Sequence, residues 1–87
     1  MPPFAAMGIK KNIRKLLNDP AEMNIGEISN ILIGLGYKLD RIRGSHYIFS
    51  RKGSHSRTIP SHNGKVIKFY LRKLKRDFIL ELLVYEK

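Results

Sequence analysis

The chain has 87 residues, with 17 basic and 7 acidic side chains, a net charge of +10 and no cysteine. A chain of this length forms one small domain that buries roughly 60 to 65 % of its unfolded surface, so a separate substrate domain is excluded. The missing cysteines exclude disulfides, thiolate zinc sites and cysteine nucleophiles.

In chain order, "MPPFAAMGIKKN" places its few apolar residues ahead of its lysines, the wrong order for a secretory signal, and no run reaches transmembrane length. The expected compartment is the cytoplasm, with no membrane role. Ile9, Ile13, Leu16 and Leu17 recur at helical spacing until Asn18-Asp19-Pro20, predicting an amphipathic helix over about residues 6 to 17 with its lysines in water. Asn24 and Glu27 form an N-cap and N3 pair ahead of Ile25, Ile28, Ile31, Leu32 and Leu35, and Gly36 stands where a helix ends in a left-handed residue. "YKLDRIR", "HYIFSRK" and "SRTIP" then read as three short strands separated by turns at Gly44-Ser45 and Gly53-Ser54. "SHNGK" is a loop, and a final helix from near Val66 has Ile67, Leu71, Leu74 and Phe78 as its core stripe and Lys68, Arg72, Lys75 and Arg76 on another side. "FILELLVYEK" fits either a continued helix or an edge strand. The predicted fold class is α+β in the order αα-βββ-α, a three-stranded antiparallel sheet with helices on one face and the other face open.

Charge is distributed unevenly. Residues 1–40 carry five basic and four acidic side chains, residues 41–76 carry eleven basic and none acidic, and residues 77–87 carry Lys87 against Asp77, Glu81 and Glu86. A 36-residue window without a carboxylate repels itself unless a polyanion neutralises it, and nucleic acid is the commonest such partner; a merely solubilising cationic face is the plainer alternative. The same window holds all three histidines, His46, His55 and His62. RNA is cut without a metal when one group takes the 2′-hydroxyl proton, a group returns a proton to the 5′-oxygen, and cations hold the phosphate. Histidine, with an ordinary pKa near ~6.5, suits the proton transfers, whereas carboxylates nearby repel the RNA backbone.

Within this window, "LGYKLDRIRGSHYIF" followed by "RTIPSHNGKVIKFYLRKLKR" resembles the HicA family of toxins from prokaryotic toxin-antitoxin pairs, over roughly Ile25 to Arg76. The resemblance implies a double-stranded-RNA-binding-domain-like fold, cleavage of mRNA, silencing by a HicB-like antitoxin protein, and a catalytic role for the histidine of Gly-Ser-His, here His46. It divides the chain into an N-terminal extension with one amphipathic helix (1–24) and a HicA-like RNA-binding and nuclease domain with an apolar tail (25–87). Where the family commonly has a second histidine after the first, this chain has Tyr47, which keeps a hydrogen-bonding tip but does not shuttle protons near neutral pH.

The remaining site residues follow from local chemistry. Gly44 and Ser45 offer a close backbone approach and donors to a phosphate, or simply a hairpin turn. Alternation along the strand puts His46 and Ile48 on one face and Tyr47 and Phe49 on the other, with the aromatic pair expected in the core and His46 facing out. His55 reads as a solvated loop histidine. His62 is either an RNA contact beside Lys65 at a helix N-terminus or a structural residue. Arg43, Lys65, Lys68, Arg72, Lys75 and Arg76 are the expected phosphate contacts. Phe69 stacks a base, anchors a partner or, as expected here, packs under the C-terminal run. The three histidines match no metal-ligand spacing and have no carboxylate to orient them, so no metal and no cofactor are expected. Ser45 and His46 are strand neighbours whose side chains diverge, which argues against a Ser-His hydrolase. The leading reading is a metal-independent endoribonuclease toxin; the alternatives are a non-catalytic RNA-binding module and a basic protein that binds only a protein partner.

Overall fold

The computed structural model describes the backbone of residues 3–86 and the side chains of residues 8–86, so the side chains of "PFAAM" and the charge of Lys87 lie outside the described residues. The elements are α1 (Pro3–Leu17), β1 (Glu22–Asn24), α2 (Ile25–Gly34), β2 (Lys38–Arg43), β3 (His46–Ser50), β4 (Arg57–Pro60), β5 (Lys65–Ile67), α3 (Lys68–Asp77) and α4 (Ile79–Glu86). The three-stranded antiparallel sheet β2-β3-β4 has the predicted order, and the C-terminal run is a helix. A second, two-stranded sheet pairs β1 with β5, in the register Glu22↔Ile67, Met23↔Val66 and Asn24↔Lys65. No described helix is long and apolar enough to cross a membrane.

One core joins all parts of the chain. Ile9, Ile13 and Leu16 of α1, Ile28, Ile31 and Leu32 of α2, Phe49 and Ile59 of the sheet, Met23 and Val66 of the small sheet, and Leu71, Leu74, Phe78 and Leu82 of the last two helices are all buried. Phe49 is fully buried and Tyr47 packs partly against the core, while His46 is exposed, so the alternation along β3 is the one expected. The α2 start is fixed locally: the Asn24 backbone N–H donates to Glu27 Oε1 at 2.9 Å. At its other end the Leu35 carbonyl accepts from the Arg51 guanidinium at 2.9 Å, and that guanidinium lies 4.5 Å from the Tyr37 ring centroid. Arg51 thus caps a helix end and covers an aromatic ring, structural work for a cation that the charge pattern alone assigns to a ligand.

Helices α1 and α2 approach closely at Gly34. A Cβ placed there would overlap Ile9 Cδ1, and Ile9 is itself buried. Tyr85 Oη of α4 donates to the Gly34 carbonyl at 2.6 Å, so three helices meet at this residue. Gly34→Ala gains about 1 kcal/mol of helix propensity but forces overpacking worth about 1 to 3 kcal/mol, so a lower melting temperature is expected. Thermal melting of the variant checks this; an unchanged or higher midpoint would mean that Ile9 swings aside without cost.

Two features differ from the expected core stripe of the final helix. Helix α3 starts at Lys68 rather than near Val66, and the preceding three residues are strand β5, so the inward residue is Val66 while Ile67 is 52 % exposed. A strand alternates sides at every residue, which moves Ile67 off the face that helical spacing assigns to it.

Candidate active site and nucleic-acid interface

His46 opens β3, the central strand of the sheet, and two neighbours flank it. Arg43 on β2 is its register partner across the Gly44-Ser45 turn, and Pro60 on β4 is its partner on the other side. The turn is tight because Gly44 takes the first central position with φ +60°, the pattern of a II′ hairpin turn. A Cβ at Gly44 would meet nothing within 4 Å, so backbone conformation rather than crowding calls for glycine. Beyond Pro60, Ser61 ties the far strand to the same turn: its backbone N–H donates to the Ser45 carbonyl at 2.8 Å and its hydroxyl at 3.2 Å. That bond makes Ser45↔Ser61 the hydrogen-bonded step of the ladder. The adjacent His46↔Pro60 step needs no donor from proline, which explains how Pro60 sits inside a paired strand.

Counting alternation from His46, the outward positions of the sheet include Arg41, Arg43, Ile48, Thr58 and Pro60, and the one carboxylate of the three strands is Asp40, exposed at the register slip beside Arg41. Arg41, Arg43 and His46 are all exposed, and neither arginine has a salt bridge among the described residues. This end of the sheet therefore presents an imidazole beside guanidinium groups that remain available to an anion.

His62 begins a two-residue turn, with the His62 N–H donating to the Lys65 carbonyl at 2.8 Å and the Lys65 N–H donating back at 2.9 Å. Asn63 and Gly64 occupy the turn with φ of 52° and 76°, the Asn-Gly hairpin signal that "SHNGK" carries. The turn docks on α2, whose Ile25 N–H donates to the Gly64 carbonyl at 2.9 Å. Lys65 is accordingly in β5, 3.7 Å from Glu22, and not at a helix N-terminus as its sequence position suggests. His55 is exposed in the β3–β4 loop, and no cluster of three or more His, Asp or Glu residues able to hold a metal ion is found among the described residues.

The cationic side of α3 is partly compensated, which the charge pattern does not show. Asp19, in the turn after α1, lies within salt-bridge distance of Lys68 (3.5 Å), Arg72 (3.0 Å) and Lys75 (3.9 Å). The hydrogen bond from Arg72, with the positive charges of Lys68 and Lys75, outweighs the cost of burial and lowers the Asp19 pKa to about 2. Asp77 similarly pairs with Arg57 at 2.7 Å and Arg76 at 3.6 Å, and its pKa is lowered chiefly by the Arg57 hydrogen bond. Six of the eleven cations in the carboxylate-free window are thus ion-paired to residues outside it. Phe69 does not pack under the C-terminal run: it is 67 % exposed, edge-on to Tyr70 at 5.1 Å, and lines a surface hollow with Lys68, Arg72, Lys73 and Arg76.

These features describe a small basic α+β domain with an exposed histidine at the end of its central strand. The chain belongs to the HicA toxin family: a family model described as HicA toxin of bacterial toxin-antitoxin matches residues 26–77, more than half of its length. Neither the curated proteins nor the solved structures include a match to it. The matched span runs from the start of α2 to the end of α3 and takes in the whole sheet, His46 and His62.

Proposed function

We propose that the protein is the cytoplasmic toxin of a toxin-antitoxin pair and acts as an endoribonuclease on mRNA, with His46 as the proton-transfer residue. The reading is carried by one observation, an exposed His46 with Arg43 as its register partner and without an ion pair on that arginine among the described residues, in a chain of the HicA family. In the reaction, His46 takes the proton of the ribose 2′-hydroxyl as that oxygen attacks the neighbouring phosphorus. The phosphorus–O5′ bond breaks, and the 5′-oxygen receives a proton. The products are a 2′,3′-cyclic phosphate and a 5′-hydroxyl. Arg43 stabilises the charge on the pentavalent phosphate, and the Gly44-Ser45 turn lets the backbone approach it.

We take His62 as the second imidazole of the site. If the β3–β4 register continues past the Ser45–Ser61 bond, His62 falls diagonally across from His46, a relation that spans about 7 to 8 Å between backbones and is bridged by ring side chains. We assign it to the phosphate or to the leaving oxygen. This supplies what Tyr47, in place of a second adjacent histidine, does not. Phe69, with the α3 cations around it, offers a stacking surface for a base farther along the strand. The natural inhibitor is an acidic antitoxin that covers the His46 face.

Two measurements test this reading. Cleavage of a mixed RNA by the purified protein should persist in a chelator and leave cyclic phosphate ends. Binding to an uncleavable RNA should weaken steeply with salt, with a log-log slope of about −0.7 for each phosphate neutralised on a single strand. Salt-dependent binding without any cleavage would favour the non-catalytic RNA-binding module, and salt-independent binding would reject nucleic acid as the ligand. His62→Ala should slow cleavage at unchanged melting temperature; a wild-type rate would remove His62 from the mechanism.

A further inference from the structure

Asp19 stands outside the family-matched span, in the turn between α1 and β1, and its backbone takes a left-handed φ of 56°. A non-glycine residue in that region is uncommon, and Asp is among the few that tolerate it. The conformation aims its carboxylate at α3, 53 positions away in sequence, where Arg72 grips it with both prongs: Nε to Oδ1 at 3.1 Å and a terminal nitrogen to Oδ2 at 3.0 Å. Lys68 and Lys75, one turn on either side of Arg72 along the same helix face, approach the same two oxygens. Three cations converge on one carboxylate, so the cluster keeps an excess of positive charge with Asp19 in place.

A planar fork on two oxygens of one anion is also how arginine holds a phosphodiester, and two flanking ammonium groups complete a phosphate-binding site. The cluster borders the hollow that Phe69, Lys73 and Arg76 share with Lys68 and Arg72, so a nucleotide stacked on Phe69 carries its phosphate toward Arg72. We propose that Asp19 is a built-in occupant of a phosphate site on α3, and that an RNA phosphate must displace it to bind there. This rests on the RNA-binding reading and adds to it a second contact region, on α3 rather than on the strand that carries His46. Asp19 holds the cations in position in the free protein and weakens RNA binding by competing for them.

The test uses a single-stranded 2′-O-methyl RNA, which the enzyme is unable to cut, with the wild type, Asp19→Asn, Arg72→Gln and the double variant. Asparagine keeps the size of the side chain and tolerates the left-handed backbone, but has no charge. Asp19→Asn is expected to bind the RNA about threefold to tenfold more tightly at moderate salt, with a slope steeper by up to about 0.7, the contribution of one more phosphate. Arg72→Gln should abolish that gain in the double variant. Binding to Asp19→Asn that is unchanged or weaker, at a melting temperature above the assay temperature, would overturn the proposal and leave Asp19 as a staple between the turn and α3. If Asp19→Asn melts too low to assay, Asp19→Gly, which also accepts the left-handed backbone, takes its place under the same criterion. A wild type whose binding does not respond to salt would instead reject the RNA reading itself, so the two failures are distinguishable.

Discussion

His46→Ala is expected to abolish RNA cleavage and toxicity while leaving the fold and most of the RNA affinity in place. The side chain is exposed at the end of β3 and carries little packing, so its removal falls within about 0.5 kcal/mol in stability, as for other surface substitutions. Removing a positioned imidazole from proton transfer commonly costs on the order of 10² to 10⁴ in rate, and that difference between a small structural and a large catalytic effect is the signature to look for. Melting curves, binding to uncleavable RNA and initial cleavage rates should be measured on the same preparations, with His55→Ala as the control in the β3–β4 loop. Loss of activity only in proportion to unfolded protein would make His46 a turn residue, and a folded His46→Ala protein that cuts at the wild-type rate would remove it from the mechanism.

The opposite pattern is expected three residues along the same strand. Phe49 is fully buried on the inner face, paired with Leu39 on β2 and Arg57 on β4. Phe49→Ala deletes a ring from the middle of the core and should cost about 3 to 5 kcal/mol, a large share of the roughly 5 to 15 kcal/mol available to a native domain. Unfolding in urea should show a much lower midpoint, with cleavage, RNA binding and antitoxin binding falling together. A Phe49→Ala protein that melts like the wild type would mean that the core repacks around the cavity. With His46→Ala, it separates the chemistry of the strand's outer face from the stability supplied by its inner face.

The parts of this fold that are legible in the sequence are those decided within a few residues. Asn24 and Glu27 announce the start of α2, and glycine-containing turns bracket β3; period-two alternation then sends Phe49 inward and His46 outward. The β1–β5 ladder is not legible, because strands of three residues carry too little periodicity and their pairing joins Glu22 to Ile67 across most of the chain. Missing it moves the start of α3 and puts Ile67 on the wrong side. The Asn-Gly pair at 63–64 is a local signal that does reveal the turn beside Lys65. Formal charge likewise hides who neutralises whom: Asp19 lies outside the carboxylate-free window in sequence, yet its side chain reaches Lys68, Arg72 and Lys75. The resemblance names His46, and period-two alternation, a local property, gives its outward position, whereas the state of the surrounding cations depends on tertiary contacts.

The register of β2 against β3 slips between Leu39 and Arg41, so that Asp40 has no partner opposite it. Strand β2 is an edge of the sheet, its outer row of backbone donors and acceptors unpaired by any strand among the described residues, and Leu39 and Ile42 are both exposed on it. A straight edge of that composition would recruit the same edge of another molecule and grow into an aggregate. The bulge bends the strand and interrupts the even spacing of its hydrogen-bonding groups, while Lys38, Arg41 and Arg43 set like charges against any copy that approaches in antiparallel fashion. The guanidinium groups beside His46 therefore also act as gatekeepers of solubility. Exchanging Arg41 and Arg43 for neutral residues would leave the bulge as the edge's main defence against its own association.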